Sequence, residues 1–478
     1  MSSPATNPDS AIFDRRAWIT LLVLCGVLFL DGLDVSMVGV ALPSIDSDLN
    51  LSTSTLQWVV SGYVLGYGGL LLLGGRTADL LGRRRVLIVA LAVFAFASLL
   101  GALVDSGPLL IAARFIKGAS AAFTAPAGLS IITTTFAEGP ARNRALGIYT
   151  ATGASGFSLG LVLGGLLTTA GWRWTFLLPV PIALVLLVLA IRVLPYDAPS
   201  VRRRGRFDIA GAVTVTGAML ALVFAVSGAP EAGWTSAQTL GAFAAAIVLG
   251  ATFLAVELRV KEPLVRLGLL RSPVIAGANI AGMTTFACYF GFQFIATLYM
   301  QQLLGWSALE TALAFLPAGL LVAFGAPRMG PLATRIGTAP LITAGLLSFV
   351  VGYALFVRID VTPEYALAIL PTILLLGLGF ALTYPAANMA ATSGVPDHEQ
   401  GLASGLVNTS FQLGGAIGLA IVTAVITAGR ESATDPSSLL DEFRPGLAVV
   451  TAFAVLGLST VLASLLAQRR LERRLAIA

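Results

Sequence analysis

Long apolar runs alternate along the chain with short clusters of glycine, proline and charged residues. A helix needs about 20 apolar residues to cross the hydrocarbon core of a bilayer. Because Arg15 and Arg16 precede a first run that lacks a cleavage site, we interpret that run as a retained helix rather than a signal peptide. The pattern predicts fourteen spans, at 17–42, 56–75, 85–104, 108–135, 144–170, 174–194, 208–228, 237–256, 272–301, 308–327, 338–357, 364–390, 400–428 and 446–467.

Basic residues orient these spans, because cytoplasmic loops carry an excess of Lys and Arg. With the N-terminus in the cytoplasm, 23 of the 29 basic residues fall on the cytoplasmic side. Four fall on the outer side and two lie within a span. This distribution predicts a multi-pass protein of the cytoplasmic membrane, with an even number of spans and both termini in the cytoplasm.

Composition narrows the classes of function. Hydrophobic residues make up 57% of the chain and charged residues 11%, against roughly 25% charged in soluble proteins. These values exclude a soluble enzyme, a disordered chain and a nucleic-acid-binding protein. Cys25 and Cys288 both lie in apolar runs, which argues against a disulfide framework or a metal site. The chain contains no phosphate-binding loop motif and no loop long enough for a catalytic domain, so we expect a transporter without cofactor or enzymatic activity.

An internal repeat divides the chain. The segment Gly75–Gly82 resembles 330–337 at an offset of 255, and the glycine spacing of span five recurs in span thirteen at an offset of 258. We therefore expect spans 1–6 to correspond to spans 9–14, with a substrate site near the bilayer midplane where the halves meet. The predicted division is a cytoplasmic N-terminus (1–16), an N-terminal six-helix half (17–194), a linker with two extra helices (195–271), a C-terminal six-helix half (272–467) and a basic cytoplasmic tail (468–478).

Four ionisable residues lie well inside spans, where charges are costly and usually functional. Asp31 and Asp34 share a face of the first span, and Arg114 and Lys117 share a face of the fourth. Similar depths suggest that Asp34 pairs with Arg114 and Asp31 with Lys117. The cluster is either charge-compensated packing or a proton site, and as a proton site we favour Asp34 as the carrier.

Motif-like segments run through the N-terminal half, at 33–43, 75–84, 114–118, 156–165 and 172–176. Together they resemble the motifs of the fourteen-span drug:proton antiporters of the major facilitator superfamily. The resemblance implies an all-α membrane protein with two pseudo-symmetric six-helix halves plus two linker helices. It also implies export of lipophilic drugs or antibiotics by alternating access, with the proton gradient as energy source.

The resemblance assigns two further groups of residues. A gate motif before the third span comprises Gly75, Asp79, Gly82 and Arg83, in which Asp79 would latch the cytoplasmic gate with Arg83. The glycine motif of the fifth span comprises Gly156, Gly160, Gly164 and Gly165, which serve close helix packing, gating or both. The chain departs from the family pattern at Gly39, Leu80, Leu161 and Lys117. Lys117 weakens the case for a polycationic substrate.

An apolar cavity with few polar groups suits lipophilic ligands. We expect its lining, as an alternative to plain packing, to include Gln57, Tyr63, Tyr67, Phe286, Tyr289, Phe290, Gln293, Asn388, Asn408 and Gln412. His398 is expected in a solvated loop.

Two functions remain open at this stage: a proton-coupled drug exporter, or a proton-coupled transporter of a physiological metabolite or lipid. The expected partners are a small lipophilic substrate, protons and the lipid bilayer, with no nucleic acid, and we expect a monomer. The repeat and the paired intramembrane charges argue against a sensor or a channel.

Overall fold

The computed structural model describes residues 15–136, 140–196, 208–260, 267–395, 400–428 and 436–477. Within these residues the secondary structure is helical, and no strand is formed. The helices are α1 (Arg15–Leu49), α2 (Thr53–Leu81), α3 (Arg83–Leu103), α4 (Gly107–Thr135), α5 (Pro140–Ala170), α6 (Trp174–Leu177), α7 (Pro179–Val193), α8 (Ile209–Ala232), α9 (Ala237–Arg259), α10 (Pro273–Leu298), α11 (Ala308–Gly325), α12 (Met329–Ile336), α13 (Thr338–Phe356), α14 (Leu370–Thr392), α15 (Gln400–Ala428) and α16 (Pro436–Ile477).

Every predicted span coincides with a helix. Twelve helical segments among the described residues, with α6 and α7 counted as one, are long and apolar enough to cross a membrane. The two other predicted spans correspond to α2 and α5, which have 29 and 31 residues and so rise about 43 Å or more at 1.5 Å per residue. Their length suffices for a crossing, although their composition is less apolar. The full count of fourteen crossings stays a prediction.

The turn that follows α2 corrects one expectation. Residues 75–81, expected in a loop before the third span, continue α2, and Gly82 alone separates α2 from α3. Gly82 has φ of 100°, a conformation that favours glycine, and its N–H donates to the Ala78 carbonyl at 3.1 Å. Gly337, 255 residues later, has φ of 86° and donates to the Ala333 carbonyl at 2.8 Å. The repeated sequence therefore forms the same turn twice.

Helix packing repeats in the same way. α1 packs on α5 as α10 packs on α15, and α2 packs on α4 as α11 packs on α14. α3 packs on α7 as α13 packs on α16. The two halves meet where α2 contacts α15 and where α5 contacts α11. The expected pseudo-symmetric halves are confirmed, with α8 inserted against α2 and α15, and α9 packed on α8.

Glycines bring the backbones of α1 and α5 into contact. A Cβ added at Gly160 would lie 2.6 Å from the Leu33 carbonyl oxygen, and one at Gly164 would lie 2.7 Å from the Met37 Cα. Gly156 faces the Phe29 carbonyl in the same way. Because the three contacts are spaced by four residues on both helices, they form one continuous seam. Small residues at such seams are how membrane helices pack closely without a hydrophobic driving force.

The second half repeats this seam between α10 and α15. Gly414 faces the backbone of Met283, and Gly418 faces the backbone of Ala287. Gly165 has a different place, because a Cβ added there would lie 2.8 Å from the Ala308 carbonyl oxygen of α11. The glycine motif of the fifth span therefore serves two interfaces, one inside the N-terminal half and one between the halves.

We expect Gly160→Ala to destabilise the protein by about 2 kcal/mol, because the added methyl group overpacks the α1–α5 seam. The measurement is thermal unfolding of the purified protein in detergent. Gly250→Ala in α9 is the matched control, since nothing lies within 4 Å of its added Cβ. Equal melting temperatures for the two variants would contradict the seam.

Candidate functional site

Asp34 lies between two cations in the interior of the N-terminal half. Arg114 donates from Nη1 to Asp34 Oδ2 at 2.6 Å, and Lys117 donates from Nζ to Asp34 Oδ1. All three side chains are buried, with at most 1% of their surface exposed. The expected pair of Asp34 with Arg114 is thus present, but Lys117 pairs with Asp34 rather than with Asp31. We call these three residues the ion triad.

Asp31 has a different partner. Its Oδ2 accepts a hydrogen bond from the Thr124 hydroxyl at 3.2 Å, and Lys117 lies within electrostatic range without bonding to it. α1 and α4 run in opposite directions, so the deeper residue of α1 faces a residue further along α4. Thr124 follows Lys117 by two helical turns on the same face of α4. The expected pairing of Asp31 with Lys117 is therefore wrong.

Arg114 is anchored to α2 as well as to α1. Its Nε donates to the Val59 carbonyl at 2.9 Å, and its guanidinium carbon lies 4.6 Å from the centre of the Tyr63 ring. A guanidinium group over an aromatic face is stabilised by the ring quadrupole. Arg114 therefore connects three helices, and Tyr63 belongs to the environment of the triad.

Lys117 lies in an aromatic slot on the other side of Asp34. Its Nζ is 4.9 Å from the centre of the Phe94 ring in α3 and 5.1 Å from that of Phe176 in α6. The ammonium group is 0% exposed, so it is enclosed by two rings and a carboxylate. The triad consequently joins α1, α2, α3, α4 and α6 through one buried carboxylate.

A second charged network lies in the same half, at the C-terminal end of α1. Asp48 accepts from Trp172 Nε1 at 2.9 Å and from Arg173 Nη1 at 2.6 Å, and Arg173 Nη2 donates to Asp105 at 2.5 Å. The hydrogen bond to Asp48 raises the pKa of Arg173 above its usual value, so the arginine stays charged. The Trp-Arg-Trp segment before α6 is thus tied to the end of α1 and to the α3–α4 loop.

Aromatic residues cluster where the C-terminal half faces α5. The Phe286 ring stacks on Phe411 at 4.9 Å between centroids, and Tyr289 lies 5.0 Å from Phe380. Tyr289 also contacts a ring of the N-terminal half, that of Phe157 in α5, at 6.0 Å. We define the aromatic cluster as Phe157, Phe286, Tyr289, Phe290, Phe380, Tyr384 and Phe411. It includes three of the expected cavity residues.

The expected polar residues separate into small groups. Asn408 donates to Asn388 at 3.4 Å, between α15 and α14. Gln57 is buried and its amide nitrogen donates to Ser61 within α2, while its buried Oε1 accepts no hydrogen bond from the described residues. Tyr67 packs edge-on against Tyr63 at 6.2 Å.

Two glutamines lie at contacts between the halves. A Cβ added at Gly39 in α1 would lie 3.1 Å from Gln293 Nε2, and one at Gly68 in α2 would lie 2.5 Å from Gln412 Cβ. The departure from the family pattern at Gly39 therefore makes room for Gln293. A larger residue at position 39 would push against that amide.

Part of the predicted gate lies outside the described residues. The side chain of Asp79 is such a part, so the latch between Asp79 and Arg83 stays a prediction. His398, expected in a solvated loop, also lies outside the described residues. Arg83 Nη1 donates to the Ser130 carbonyl at 3.0 Å, which ties the start of α3 to α4.

Sequence reasoning missed several members of these groups. Phe380 and Tyr384 are one helical turn apart on α14, a spacing that the sequence shows. Phe157 falls inside the glycine motif of the fifth span, in which only the glycines were marked as functional candidates. Thr124 carries no charge, so nothing in the sequence marked it as the partner of Asp31.

We expect Asp34→Asn to lower the free energy of unfolding by about 3 kcal/mol, because it leaves Arg114 and Lys117 buried without their carboxylate. The double variant Asp34→Asn/Lys117→Met should regain part of that loss, since it removes one uncompensated cation. Thermal unfolding in detergent measures both. A double variant that melts below the single one would contradict the triad.

Comparison with known proteins gives the family. A sequence profile of the Major Facilitator Superfamily matches residues 24–419. The chain is 37% identical over 473 residues to the puromycin resistance protein pur8 of Streptomyces alboniger, covering 96% of this chain and 93% of the relative. It is also 37% identical over 454 residues to the cephamycin export protein CmcT of Amycolatopsis lactamdurans, covering 94% and 93%.

Solved structures share the fold. The nucleoside transporter NupG superposes with a TM-score of 0.66 at 12% identity, over 93% of this chain and 99% of that one. The human organic anion transporter MFSD10 gives a TM-score of 0.63 at 17% identity, over 95% and 100%. The family profile and the export relatives agree with the expectation of a multi-pass transporter rather than an enzyme. The chain belongs to the major facilitator superfamily, with antibiotic resistance and export proteins among its relatives.

Proposed function

We propose that this protein is a proton-coupled antiporter that exports small lipophilic antibiotics across the cytoplasmic membrane. The observation that carries the proposal is the buried charge cluster: two carboxylates and two cations lie inside the N-terminal half, where an uncompensated charge is costly. The relatives support the substrate class, since they are named for puromycin, cephamycin, lincomycin and tetracenomycin C. Both termini lie in the cytoplasm, the protein works as a monomer, and it needs no cofactor.

The coupling follows from charge balance. Asp31, Asp34, Arg114 and Lys117 sum to zero net charge when all four are ionised. Binding one proton makes the cluster positive by one unit, which is unfavourable in a medium of low polarity. A change in the relative position of the halves that brings water to the cluster relieves this cost. Proton entry from outside and release inside thereby drive the alternation of access.

The substrate binds where the two halves meet, beside the aromatic cluster. Rings from α5, α10, α14 and α15 supply a largely apolar surface. The contacting amides of Asn388 and Asn408 and the amide of Gln293 supply a small number of polar groups. Such a lining recognises shape and apolar area more than a fixed set of hydrogen bonds, which suits more than one antibiotic.

Expression in a sensitive host should raise resistance to at least one of puromycin, lincomycin, tetracenomycin C and a cephamycin. Everted membrane vesicles should then accumulate that compound, and an uncoupler should abolish the accumulation because it removes the proton gradient. Asp34→Asn should be inactive in the same vesicles while remaining in the membrane. Accumulation that survives the uncoupler would refute proton coupling, and unchanged sensitivity to all four compounds would point to a physiological metabolite or lipid.

Lys117→Gln should broaden export toward cationic compounds. The substitution gives the four-residue cluster a net charge of −1, which favours a cationic ligand nearby. The measurement is the resistance ratio for cationic relative to neutral compounds, with Gly250→Ala as a matched control outside the site. An unchanged ratio would argue that Lys117 serves only to hold Asp34.

A further inference from the structure

The two intramembrane carboxylates have unequal surroundings. Both oxygens of Asp34 are bonded to cations, and the side chain is 0% exposed. Asp31 is in no salt bridge within the described part of the chain, accepts only a hydroxyl hydrogen bond, and is 8% exposed. Proton uptake by Asp34 would break two ion pairs and leave two cations facing each other. Proton uptake by Asp31 breaks no ion pair.

Asp31 has electrostatic partners on several helices of the N-terminal half. The titratable and charged groups within its electrostatic range are Asp34 on α1, Tyr63 and Tyr67 on α2, Lys117 on α4 and Tyr149 on α5. Tyr384 of the aromatic cluster is in turn within range of Tyr67 and Tyr149. Titratable and charged groups of four helices therefore lie within range of Asp31, whereas Lys117 of the ion triad packs against rings of α3 and α6.

We propose that Asp31 is the carboxyl group that exchanges the transported proton, whereas the Asp34 triad stays assembled throughout the cycle. The proton arrives from water on the open side and binds a carboxylate oxygen of Asp31, and the same oxygen releases it on the opposite side. Thr124 positions that carboxyl group through its hydroxyl. Lys117 has a defined part in this arrangement, because it supplies the second cation bonded to Asp34. The proposal rests on the proton-coupled export proposed above and names its proton site.

The site is tested without any substrate. Infrared difference spectra of the reconstituted protein, recorded above about pH 5.5 where surface carboxylates are ionised, report the carbonyl stretch of protonated carboxyl groups. Other buried acids contribute to this band, so variants are compared with the wild type. Asp31→Asn should remove the contribution of Asp31 from the carbonyl band of protonated carboxyl groups. Asp34→Asn should leave that contribution in place. A band unchanged in Asp31→Asn and reduced in Asp34→Asn overturns the proposal.

A conservative variant covers the case in which removing either acid disturbs the fold. Thr124→Val keeps the shape of the side chain and removes the hydroxyl that bonds Asp31. It should shift the frequency of the Asp31 part of the band, because that carboxyl group loses its hydrogen bond. An unshifted band overturns the proposal, and this result can be obtained even where both acid variants fail to fold.

Transport supplies a second readout in the same vesicles. Asp31→Asn should lose gradient-driven accumulation of the exported compound while retaining its exchange across the membrane without a gradient. Gradient-driven accumulation at the wild-type level would overturn the proposal. If the wild type exports none of the four compounds, the proposed function fails, and the infrared comparison still decides the place of Asp31.

Discussion

One buried carboxylate holds the N-terminal half together. Asp34 accepts from Arg114 and from Lys117, and each cation makes a further contact with a neighbouring helix. Because these side chains are buried, removing Asp34 leaves two uncompensated cations, and that cost is several times larger than for a surface ion pair. The triad therefore constrains the helices around it to one arrangement, and the position of Asp31 is a consequence of that arrangement.

Close backbone contact is the second constraint, and it is met twice. The glycines of α5 rest on α1, and those of α15 rest on α10, at corresponding positions of the two halves. Such seams depend on shape rather than on charge and occur in both halves, while the ion triad lies in the N-terminal half. The halves share a scaffold and differ in chemistry. The N-terminal half carries the four predicted intramembrane charges, and the C-terminal half supplies most of the rings of the aromatic cluster.

The two chemistries meet at the interface between the halves. Phe157 of the N-terminal half contacts Tyr289 of the C-terminal half, and Tyr384 lies within electrostatic range of Tyr67 and Tyr149. In the proposed exchange, the substrate binds among the rings of the aromatic cluster and the proton binds Asp31, so the two sites use different residues.

The sequence by itself determined the helices, the repeat, the family and the four intramembrane charges. Apolar runs of bilayer length form helices whatever their neighbours, and a repeated Gly82 and Gly337 form the same turn because only local backbone conformation is involved. Only the tertiary structure decided which acid each cation bonds and which rings come together. The hydrogen bonds of the two acids join residues 80 or more positions apart, as with Asp34 and Arg114, so they depend on how helices face one another. Depth along the helices alone paired Lys117 with Asp31, whereas the structure pairs it with Asp34.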